Sequence, residues 1–358
     1  MNQPVDRATA HRLFCHLQSR RDEMVECLAE WVRLETPSVV PETQGPFLAG
    51  LARDLEAIGF RVRRLSGRVS GGQLYARPAR RPLGQPAQLL LGHSDTVWPV
   101  GTLAEMPVRA TNGRLYGPGS YDMKGGLVQM LFALRALHEL ALEPEVRPLV
   151  FINSDEEIGS HDSTPHITRL ARVVERVWVL EPALGPAGKL KTARKGVGRF
   201  TVTVHGRAAH AGLNPEEGTS AILELAHVIQ SLFALNDPAR GVTVNVGQID
   251  GGLRPNVVAA QSQAHVDVRV PTLADARAIE RAIHGLRPVT PGVRISVDGE
   301  VGSPPMERTP RNLALWHVAE RVGEQLGLSL EEGMAGGGSD GNTTSLFTPT
   351  LDGLGAVG

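Results

Sequence analysis

The sequence predicts an α/β protein into which a second, smaller α+β domain is inserted. Short apolar runs alternate with amphipathic helices in the first half of the chain, which is typical of a sheet covered by helices. Farther along, a β-α-β-β-α-β order is typical of a small ferredoxin-like sandwich. At 358 residues the chain is also too long for one average domain. We therefore predict an α/β domain formed by residues 1–193 and 304–358, interrupted by an inserted domain at residues 194–303.

The elements of the α/β part are predicted from the spacing of apolar residues. Helical spacing, as in Leu13, Leu17, Met24 and Leu28, predicts helices, and apolar runs of strand length predict buried strands. The predicted helices cover residues 11–34, 47–58, 122–140 and 313–326, and the predicted strands include residues 89–91, 149–152 and 177–180.

The first strand of the inserted domain is predicted from apolar and polar residues that alternate with a period of two. Phe200, Val202 and Val204 alternate with polar residues, as in a half-buried strand. Further strands are predicted at residues 242–249, 257–270 and 293–297, and helices at residues 219–235 and 273–286.

Composition excludes several classes of partner. The formal net charge is -1 and the basic residues are scattered, which argues against nucleic acid. No apolar run approaches the roughly 18 residues of a membrane helix, and the N-terminal residues lack the apolar region of a signal peptide. Cys15 and Cys27, the only cysteines, cannot form a cysteine-rich zinc site. We expect a soluble cytoplasmic protein that binds neither nucleic acid nor membrane.

Four segments place potential metal ligands directly after apolar, strand-like runs. Because ligands bind at the carboxyl ends of strands in open α/β sheets, these segments should meet at one edge. Aspartate and glutamate are almost never buried unless they are paired or bound to metal, so packing does not explain them. The segments are Gly92-His93-Ser94-Asp95-Thr96, Tyr121-Asp122-Met123-Lys124-Gly125-Gly126, Ser154-Asp155-Glu156-Glu157 and Leu180-Glu181-Pro182.

The residue types in these segments indicate a metal centre that hydrolyses an amide. Imidazole with carboxylates suits zinc, or cobalt and manganese. Asp95 is placed to accept the second ring N–H of His93. Asp122 has two oxygens with which to bridge two metal ions. Of the adjacent Glu156 and Glu157, one can bind metal while the other takes a proton from water.

Longer motifs around these residues resemble one known family. They run through nearly the whole chain: Gly-His-Ser-Asp-Thr-Val from Gly92, Gly-Pro-Gly-Ser-Tyr-Asp-Met-Lys-Gly-Gly from Gly117, Asn-Ser-Asp-Glu-Glu-Ile-Gly-Ser from Asn153, His-Gly-Arg-Ala-Ala-His-Ala-Gly from His205, Gly251-Gly252 with Asn-Val-Val from Asn256, and Gly-Gly-Gly-Ser-Asp-Gly-Asn from Gly336. The sequence is similar to the zinc exopeptidases and deacylases that include glutamate carboxypeptidase (carboxypeptidase G), acetylornithine deacetylase, succinyl-diaminopimelate desuccinylase and aminoacylase.

The resemblance implies a zinc-peptidase-like mixed sheet flanked by helices, with two zinc ions per chain. It implies that His93 and Glu181 hold one zinc, that Asp122 bridges, and that Glu157 belongs to the second zinc. It also implies a cis peptide bond between Asp122 and Met123.

The resemblance also implies catalytic and substrate-binding roles. Glu156 would be the general base, and Asp95 would orient the histidine ligand. The inserted domain would act as a lid and as the interface of a homodimer, with His210 reaching into the partner's active site to bind the developing oxyanion. Asn256 and Arg269 match residues that contact substrate, and the fork of Arg269 suits a carboxylate.

Simpler interpretations of some of these residues stay open. The simpler interpretation of Arg269 is a solvated strand residue that pairs with Asp267. The simpler interpretation of His210 is a capped turn histidine. The four tryptophans are interpreted as packing residues rather than recognition residues: Trp31, Trp98, Trp178 and Trp316.

The end of the chain departs from the family pattern. The resemblance implies one more zinc-ligating histidine a short way beyond Gly358, whereas the last histidine present is His317, in a predicted helix. We expect a truncated chain. The alternative is a true variant whose second zinc is held only by Asp122 and Glu157 and binds weakly.

These motifs predict hydrolysis of an amide or peptide bond next to a free carboxylate. The substrate would be a small peptide or an N-acyl amino acid, and release of C-terminal glutamate is the first hypothesis. An N-acyl-amino-acid deacylase similar to acetylornithine deacetylase is the alternative, because it needs the same metal site and the same carboxylate clamp. A catalytically impaired, metal-binding homologue is the hypothesis from a different class.

Overall fold

A computed structural model describes residues 6–80, 82 and 84–358 of the chain. Contacts between residues divide it into two compact units. The first contains the described residues up to Thr192 together with Arg308–Met334 and Ser339–Gly358. The second contains Ala193–Glu307 and Ala335–Gly338. No helix in these described ranges is both long enough and apolar enough to cross a membrane.

Nine α-helices and fourteen strands are described, and both units mix the two types. The helices are α1 (Arg7–Ser19), α2 (Arg21–Arg33), α3 (Gln44–Ala57), α4 (Gly125–Glu139), α5 (Thr164–Ala171), α6 (Ala221–Phe233), α7 (Leu273–His284), α8 (Pro310–Gln325) and α9 (Asp340–Thr344). The strands are β1 (Phe60–Leu65), β2 (Gln73–Pro78), β3 (Ala87–His93), β4 (Arg109–Thr111), β5 (Arg114–Tyr116), β6 (Arg147–Asn153), β7 (Arg176–Val179), β8 (Leu190–Arg194), β9 (Gly196–His205), β10 (Thr243–Gly251), β11 (Gln261–Val270), β12 (Arg294–Ser303), β13 (Glu332–Ala335) and β14 (Thr350–Leu351).

The first unit is built on a six-stranded mixed sheet in the order β1-β2-β6-β3-β7-β14. Strands β6, β3, β7 and β14 are parallel, and β2 and β1 continue the sheet in antiparallel fashion. One apolar cluster contains Phe47 of α3 and Leu127 of α4 against Ile152 of β6. Another contains Ile167 of α5 against Leu91 of β3. The sheet is therefore covered by helices on both faces, as the apolar runs predict.

The predicted N-terminal helix is two helices in the structure. Helix α1 ends at Ser19 and α2 begins at Arg21, with Arg20 between them. The guanidinium of Arg20 binds Glu23 at 2.7 Å and Glu139 of α4 at 3.1 Å. Because no glycine or proline marks this break, the apolar spacing alone does not reveal it.

The second unit contains an antiparallel four-stranded sheet in the order β10-β11-β9-β12. With α6 after β9 and α7 after β11, this is the ferredoxin-like arrangement that the element order predicts. Val202 and Val266 of the sheet share an apolar cluster with Leu225 of α6 and Ile279 of α7. The alternating residues of β9 therefore point toward a helix-covered face, as predicted.

A buried carboxylate fixes the turn between β1 and β2. Oδ2 of Asp162 accepts hydrogen bonds from the backbone N–H groups of Arg68 at 2.6 Å, Val69 at 2.9 Å and Ser70 at 3.0 Å. Burial opposes ionisation of Asp162, but these N–H groups outweigh it and lower the pKa of its carboxyl. The backbone N–H of Asp162 in turn donates to Oδ2 of Asp155 at 2.7 Å. The turn is thereby linked to the segment that carries Glu156 and Glu157.

We expect Asp162→Asn to lower the free energy of unfolding by about 1–3 kcal/mol, because charge-assisted hydrogen bonds to several amides are weakened. A carboxyl with a depressed folded-state pKa contributes stability above its unfolded pKa of about 4 and loses it as the pH falls. The difference in the free energy of unfolding between wild type and variant should therefore be smaller in acid than at pH 7. Thermal unfolding at pH 7 and pH 3 measures it, with the exposed Glu143→Gln as control. An unchanged melting temperature at pH 7 would contradict the prediction.

Candidate metal centre

The carboxyl ends of three parallel strands carry the predicted metal-binding segments. Strand β3 ends at His93, β6 is followed directly by Ser154, and β7 is followed by Leu180 and Glu181. Neighbouring parallel strands end at the same edge of a sheet. The sheet therefore brings side chains from distant parts of the sequence to one place.

Asp122 reaches this edge from the connection between β3 and β6. It lies in the turn Ser120–Lys124 that precedes α4, and the peptide bond between Asp122 and Met123 is cis, as the family resemblance implies. The sulfur of the buried Met123 side chain accepts a hydrogen bond from the backbone N–H of His93 at 3.1 Å. Met123 thus fastens this turn to the end of β3.

Two overlapping groups of side chains lie close enough together to hold metal ions. Ligand atoms of His93, Glu156 and Glu181 all lie within 4.8 Å of one another. Those of His93, Asp122 and Glu157 also lie within 4.8 Å of one another. The structure therefore brings together all four predicted ligands, with the predicted general base beside them.

The hydrogen bonds of His93 leave one ring nitrogen facing two carboxylates. Nδ1 lies 3.0 Å from the carbonyl oxygen of Asp95, so Nδ1 carries a proton and donates to that oxygen. Nε2 lies 3.2 Å from Oδ1 of Asp122 and 3.3 Å from Oε1 of Glu181. The two carboxylates are acceptors, so either a proton on Nε2 or a metal ion must supply a positive charge among these three groups. This donor set fits a divalent ion such as zinc, cobalt or manganese.

The pKa values of the centre reflect the same need for a cation. Burial raises the pKa of Glu156 well above its usual value, and the nearby His93 offsets this only in part. Burial also raises the pKa of Glu157 to about 7. For His93, burial acts to lower the pKa, but hydrogen bonds with the surrounding carboxylates raise it well above the usual value. A metal ion would supply the positive charge that keeps these glutamates ionised.

Asp95 supports the histidine and the two glutamates at once. Its Oδ2 accepts from the hydroxyl of Ser38 at 2.6 Å and from the N–H of Glu157 at 3.2 Å, while Oδ1 accepts from the N–H of Glu156 at 3.3 Å. The distance from Nδ1 of His93 to the carboxylate of Asp95 is 3.4 Å, longer than the distance to its carbonyl. Asp95 therefore holds the ring chiefly through its backbone and fixes the glutamate segment through its carboxylate.

Sequence reasoning misses two polar residues that support the centre. Ser38, which binds Asp95, lies in a loop with no distinctive spacing. Asp340 belongs to the glycine-rich motif, but the sequence gives it no role. Its buried carboxylate accepts from the hydroxyl of Ser160 at 2.5 Å and from the side-chain amide of Asn153 at 2.8 Å. Burial raises the pKa of Asp340 to about 6. Because Asp340 binds Asn153 and Ser160, it is a further acidic group next to the segment that carries Glu156.

The second unit contains the predicted His210 and Asn256. His210 is exposed, and its Nδ1 accepts hydrogen bonds from the backbone N–H groups of Gly212 at 3.2 Å and Leu213 at 3.1 Å. The ring proton therefore lies on Nε2, which can donate a hydrogen bond. The carbonyl of Asn256 accepts from the N–H of Ala211 at 3.0 Å, so the two predicted residues lie on neighbouring segments.

Two further sequence predictions concern Arg269 and the last histidine. The guanidinium of Arg269 makes a bidentate ion pair with Asp267, at 2.8 and 3.0 Å, which is the simpler alternative that the sequence leaves open. His317 lies in α8, and its Nδ1 is 2.8 Å from Glu320. It belongs to neither of the two ligand groups.

Comparisons with known proteins match this architecture. Residues 192–287 match the model of a peptidase dimerisation domain. Carboxypeptidase G2 of Pseudomonas sp. (strain RS-16) is 30% identical over 261 residues, which are 72% of this chain and 62% of that protein. Succinyl-diaminopimelate desuccinylase of Paracidovorax citrulli is 28% identical over 345 residues, 90% of this chain and 87% of that protein. The chain thus spans less than two thirds of the carboxypeptidase and most of the desuccinylase.

Solved structures agree on the fold. Aminopeptidase PepT from Bacillus cereus superimposes with a TM-score of 0.77 at 23% identity, covering 94% of this chain and 90% of that one. The M20 family metallo-carboxypeptidase Sso-CP2 from Sulfolobus solfataricus superimposes with a TM-score of 0.68 at 16% identity, covering 93% of this chain and 91% of that one. The fold is that of peptidases with an inserted dimerisation domain. The chain is similar to peptidases and deacylases of the M20 family, which confirms the predicted fold class and the family resemblance.

Proposed function

We propose that the protein is a zinc-dependent amidohydrolase that cleaves the amide next to a free carboxylate, with glutamate as the first candidate product. The observation that carries this proposal is the pair of overlapping ligand groups around His93, which includes both Glu156 and Glu157. A carboxypeptidase and a desuccinylase are among the named relatives, and both names describe removal of one part of an amide-linked substrate.

In this proposal His93, Glu181, Asp122 and Glu157 hold two zinc ions. Bound zinc would polarise the substrate carbonyl and make water more acidic. Glu156 takes the proton from the attacking water and later returns it to the leaving amine. Its burial favours this role, because burial raises the pKa of the Glu156 carboxyl and so makes its carboxylate a stronger base.

His210 is proposed to stabilise the oxyanion, and the protein to act as a homodimer. The dimerisation-domain match supports the dimer. The hydrogen bonds to Nδ1 support the role of His210, because they fix the tautomer in which Nε2–H donates. In the family arrangement, His210 of one subunit would serve the site of the other.

Asn256 and Arg269 are proposed to bind the substrate. Arg269 already has a carboxylate partner in Asp267, so binding of a substrate carboxylate requires exchange of one bidentate pair for another. The exposed side-chain amide of Asn256 lies next to the His210 segment, where it can form a hydrogen bond with the substrate. A cytoplasmic location stays a prediction from the sequence.

The first test of this function is metal content. We expect elemental analysis to find about two zinc ions per chain, the number that a paired metal site holds. The affinity should be lower at pH 6 than at pH 8, because Glu157, with a pKa of about 7 in the metal-free protein, must lose its proton to bind. The matched control is Glu175→Gln, an exposed position before β7, which should leave the metal content unchanged. Absence of tightly bound metal at pH 8 would favour the catalytically impaired homologue.

The second test separates the two substrate hypotheses. Release of glutamate from an N-acyl-glutamate is compared with deacetylation of acetylornithine by the zinc-loaded protein. Faster glutamate release supports the carboxypeptidase-like activity, and faster deacetylation supports the deacylase. If neither substrate is cleaved by protein that holds its metal, both specific hypotheses are wrong.

A further inference from the structure

Residues 34–38, which follow helix α2, contact both of the segments that carry the first candidate metal ligands. We call these residues the 34–38 segment. The hydroxyl of Thr36 donates to the carbonyl of Ser94 at 2.7 Å. The hydroxyl of Ser38 donates to the carboxylate of Asp95 at 2.6 Å. The last three residues of the 34–38 segment therefore hold the loop that begins at the end of β3.

The first residue of the 34–38 segment holds the turn Ser120–Lys124, which carries Asp122 (the Asp122 turn). Lys124 is 1% exposed, and its Nζ donates to the carbonyl of Leu34 at 2.6 Å. Nζ also lies 5.6 Å from the centre of the buried Phe47 ring. The side chain of Lys124 thus fastens the Asp122 turn to the end of α2.

The Asp122 turn and the loop after β3 also pack against each other. The backbone N–H of Lys124 donates to the carbonyl of Gly119 at 3.1 Å. A Cβ atom at Gly119 would lie only 2.5 Å from the γ-methyl of Thr96 and 3.7 Å from Cε of Lys124. The turn, the loop and the Lys124 side chain therefore meet at a position where no side chain fits.

A lysine that binds the end of a helix has a simpler interpretation. Leu34 is the C-cap of α2, and basic side chains stabilise helix ends by binding the last carbonyl groups. A solvated side chain can do this, and Arg33 already places a basic group in the last turn. Burial of the Lys124 amine costs hydration free energy, which one hydrogen bond returns only in part. The position of the Asp122 turn is a reason to retain this buried contact.

We propose that Lys124 is a positioning residue for the candidate metal centre. By binding the carbonyl of Leu34, its side chain sets the position of Asp122 relative to the end of β3, which the 34–38 segment holds as well. This inference rests on the proposed two-metal centre.

The second metal ion should depend on Lys124 more than the first. In the proposed centre, His93 and Glu181 hold the first ion together with the bridging Asp122, whereas Glu157 and the bridge hold the second. Displacement of the bridge therefore costs the second ion a larger share of its ligands. Loss of a residue that orients a ligand commonly lowers metal affinity about 10–100-fold.

Lys124→Met is the first test, because methionine is a long side chain without a hydrogen-bond donor. Competition with a chelator of known zinc affinity measures the two ions separately at pH 8. We expect the affinity for the second ion to fall about tenfold or more and that for the first by less than about threefold. Lys124→Gln, which stays polar but is too short to reach Leu34, should show the same loss. An unchanged affinity, or an equal loss for both ions, overturns the proposal.

Met130→Ala is the control for a general loss of stability. Met130 is a buried residue of α4 in the same apolar cluster as Phe47. Its truncation should lower the melting temperature but leave the ratio of the two zinc affinities unchanged. Lys189→Met, at a partly exposed lysine that pairs with Glu331 at 2.6 Å, should also leave this ratio unchanged. If Met130→Ala shifts the ratio as Lys124→Met does, Lys124 acts only through stability and the proposal is wrong.

Hydrogen exchange in the metal-free protein separates this inference from the function on which it rests. If wild type binds no zinc, the two-metal function is wrong. Exchange at residues 119–125 that is about tenfold or more faster in Lys124→Met, with unchanged exchange at residues 153–158, supports the role of Lys124 even then. Unchanged exchange at residues 119–125, or faster exchange throughout the chain, overturns it.

Discussion

Glu156→Gln is expected to retain its metal and to lose turnover by about 10²–10⁴-fold, the usual contribution of a positioned acid–base group. Glutamine keeps the size and the backbone hydrogen bond to Asp95, so the local geometry should survive. It cannot accept the proton of the attacking water. Steady-state kinetics and elemental analysis on the same preparations measure the two quantities together.

Glu157→Gln is the second variant that is needed to decide which of the two glutamates binds metal. Each glutamate belongs to one of the two ligand groups around His93, so proximity alone allows either to be the ligand. The family resemblance assigns the metal to Glu157, and its substitution should lower the metal content to about one ion per chain. The assignment is wrong if Glu156→Gln loses the metal while Glu157→Gln keeps it. Glu175→Gln, exposed and outside both groups, should change neither quantity.

The position of the candidate metal centre could be predicted because strand ends and potential ligand residues coincide in the sequence. His93 closes β3, and Glu181 follows β7 by two residues. Parallel strands must end at a shared edge, so topology alone brings these residues together. Asp122 could not be placed from a strand end, and only the turn before α4 and the family motif indicate it.

What the sequence does not reveal has physical reasons. Strand β1, Phe-Arg-Val-Arg-Arg-Leu, carries exposed arginines at an edge of the sheet and lacks the apolar run that marks a buried strand. Strand β14 has two residues, too few for any periodicity. The ion pair of Arg269 with Asp267 depends on side-chain rotamers, which spacing does not determine. Trp98, predicted to be a packing residue, is 39% exposed. It lies in a loop that is held by hydrogen bonds from Gly101 and Leu103 to Glu35, which is distant in sequence.

His210→Ala is expected to lower kcat by about 10²–10³-fold, the usual effect of removing an oxyanion donor. The metal content should be unchanged, because His210 belongs to neither ligand group. Its Nδ1 is already occupied by the N–H groups of Gly212 and Leu213, so the ring is held with Nε2 available. His210→Gln, which can still donate a hydrogen bond, should recover part of the rate. A drop in metal content as large as the drop in kcat would contradict this role.

Mixing His210→Ala with Glu156→Gln tests whether His210 serves the other subunit. In a hybrid dimer, one site would then combine an intact Glu156 with an intact His210 from the neighbour, and the second site would lack both. Random exchange makes half the dimers hybrids, so about one quarter of wild-type activity should return. If His210 served its own subunit, no site in any dimer would be complete and no activity would return. Replacing Glu156→Gln in the mixture by the double variant should abolish the recovery, because that subunit contributes no intact histidine. This control distinguishes shared sites from a general stabilisation of one variant by the other.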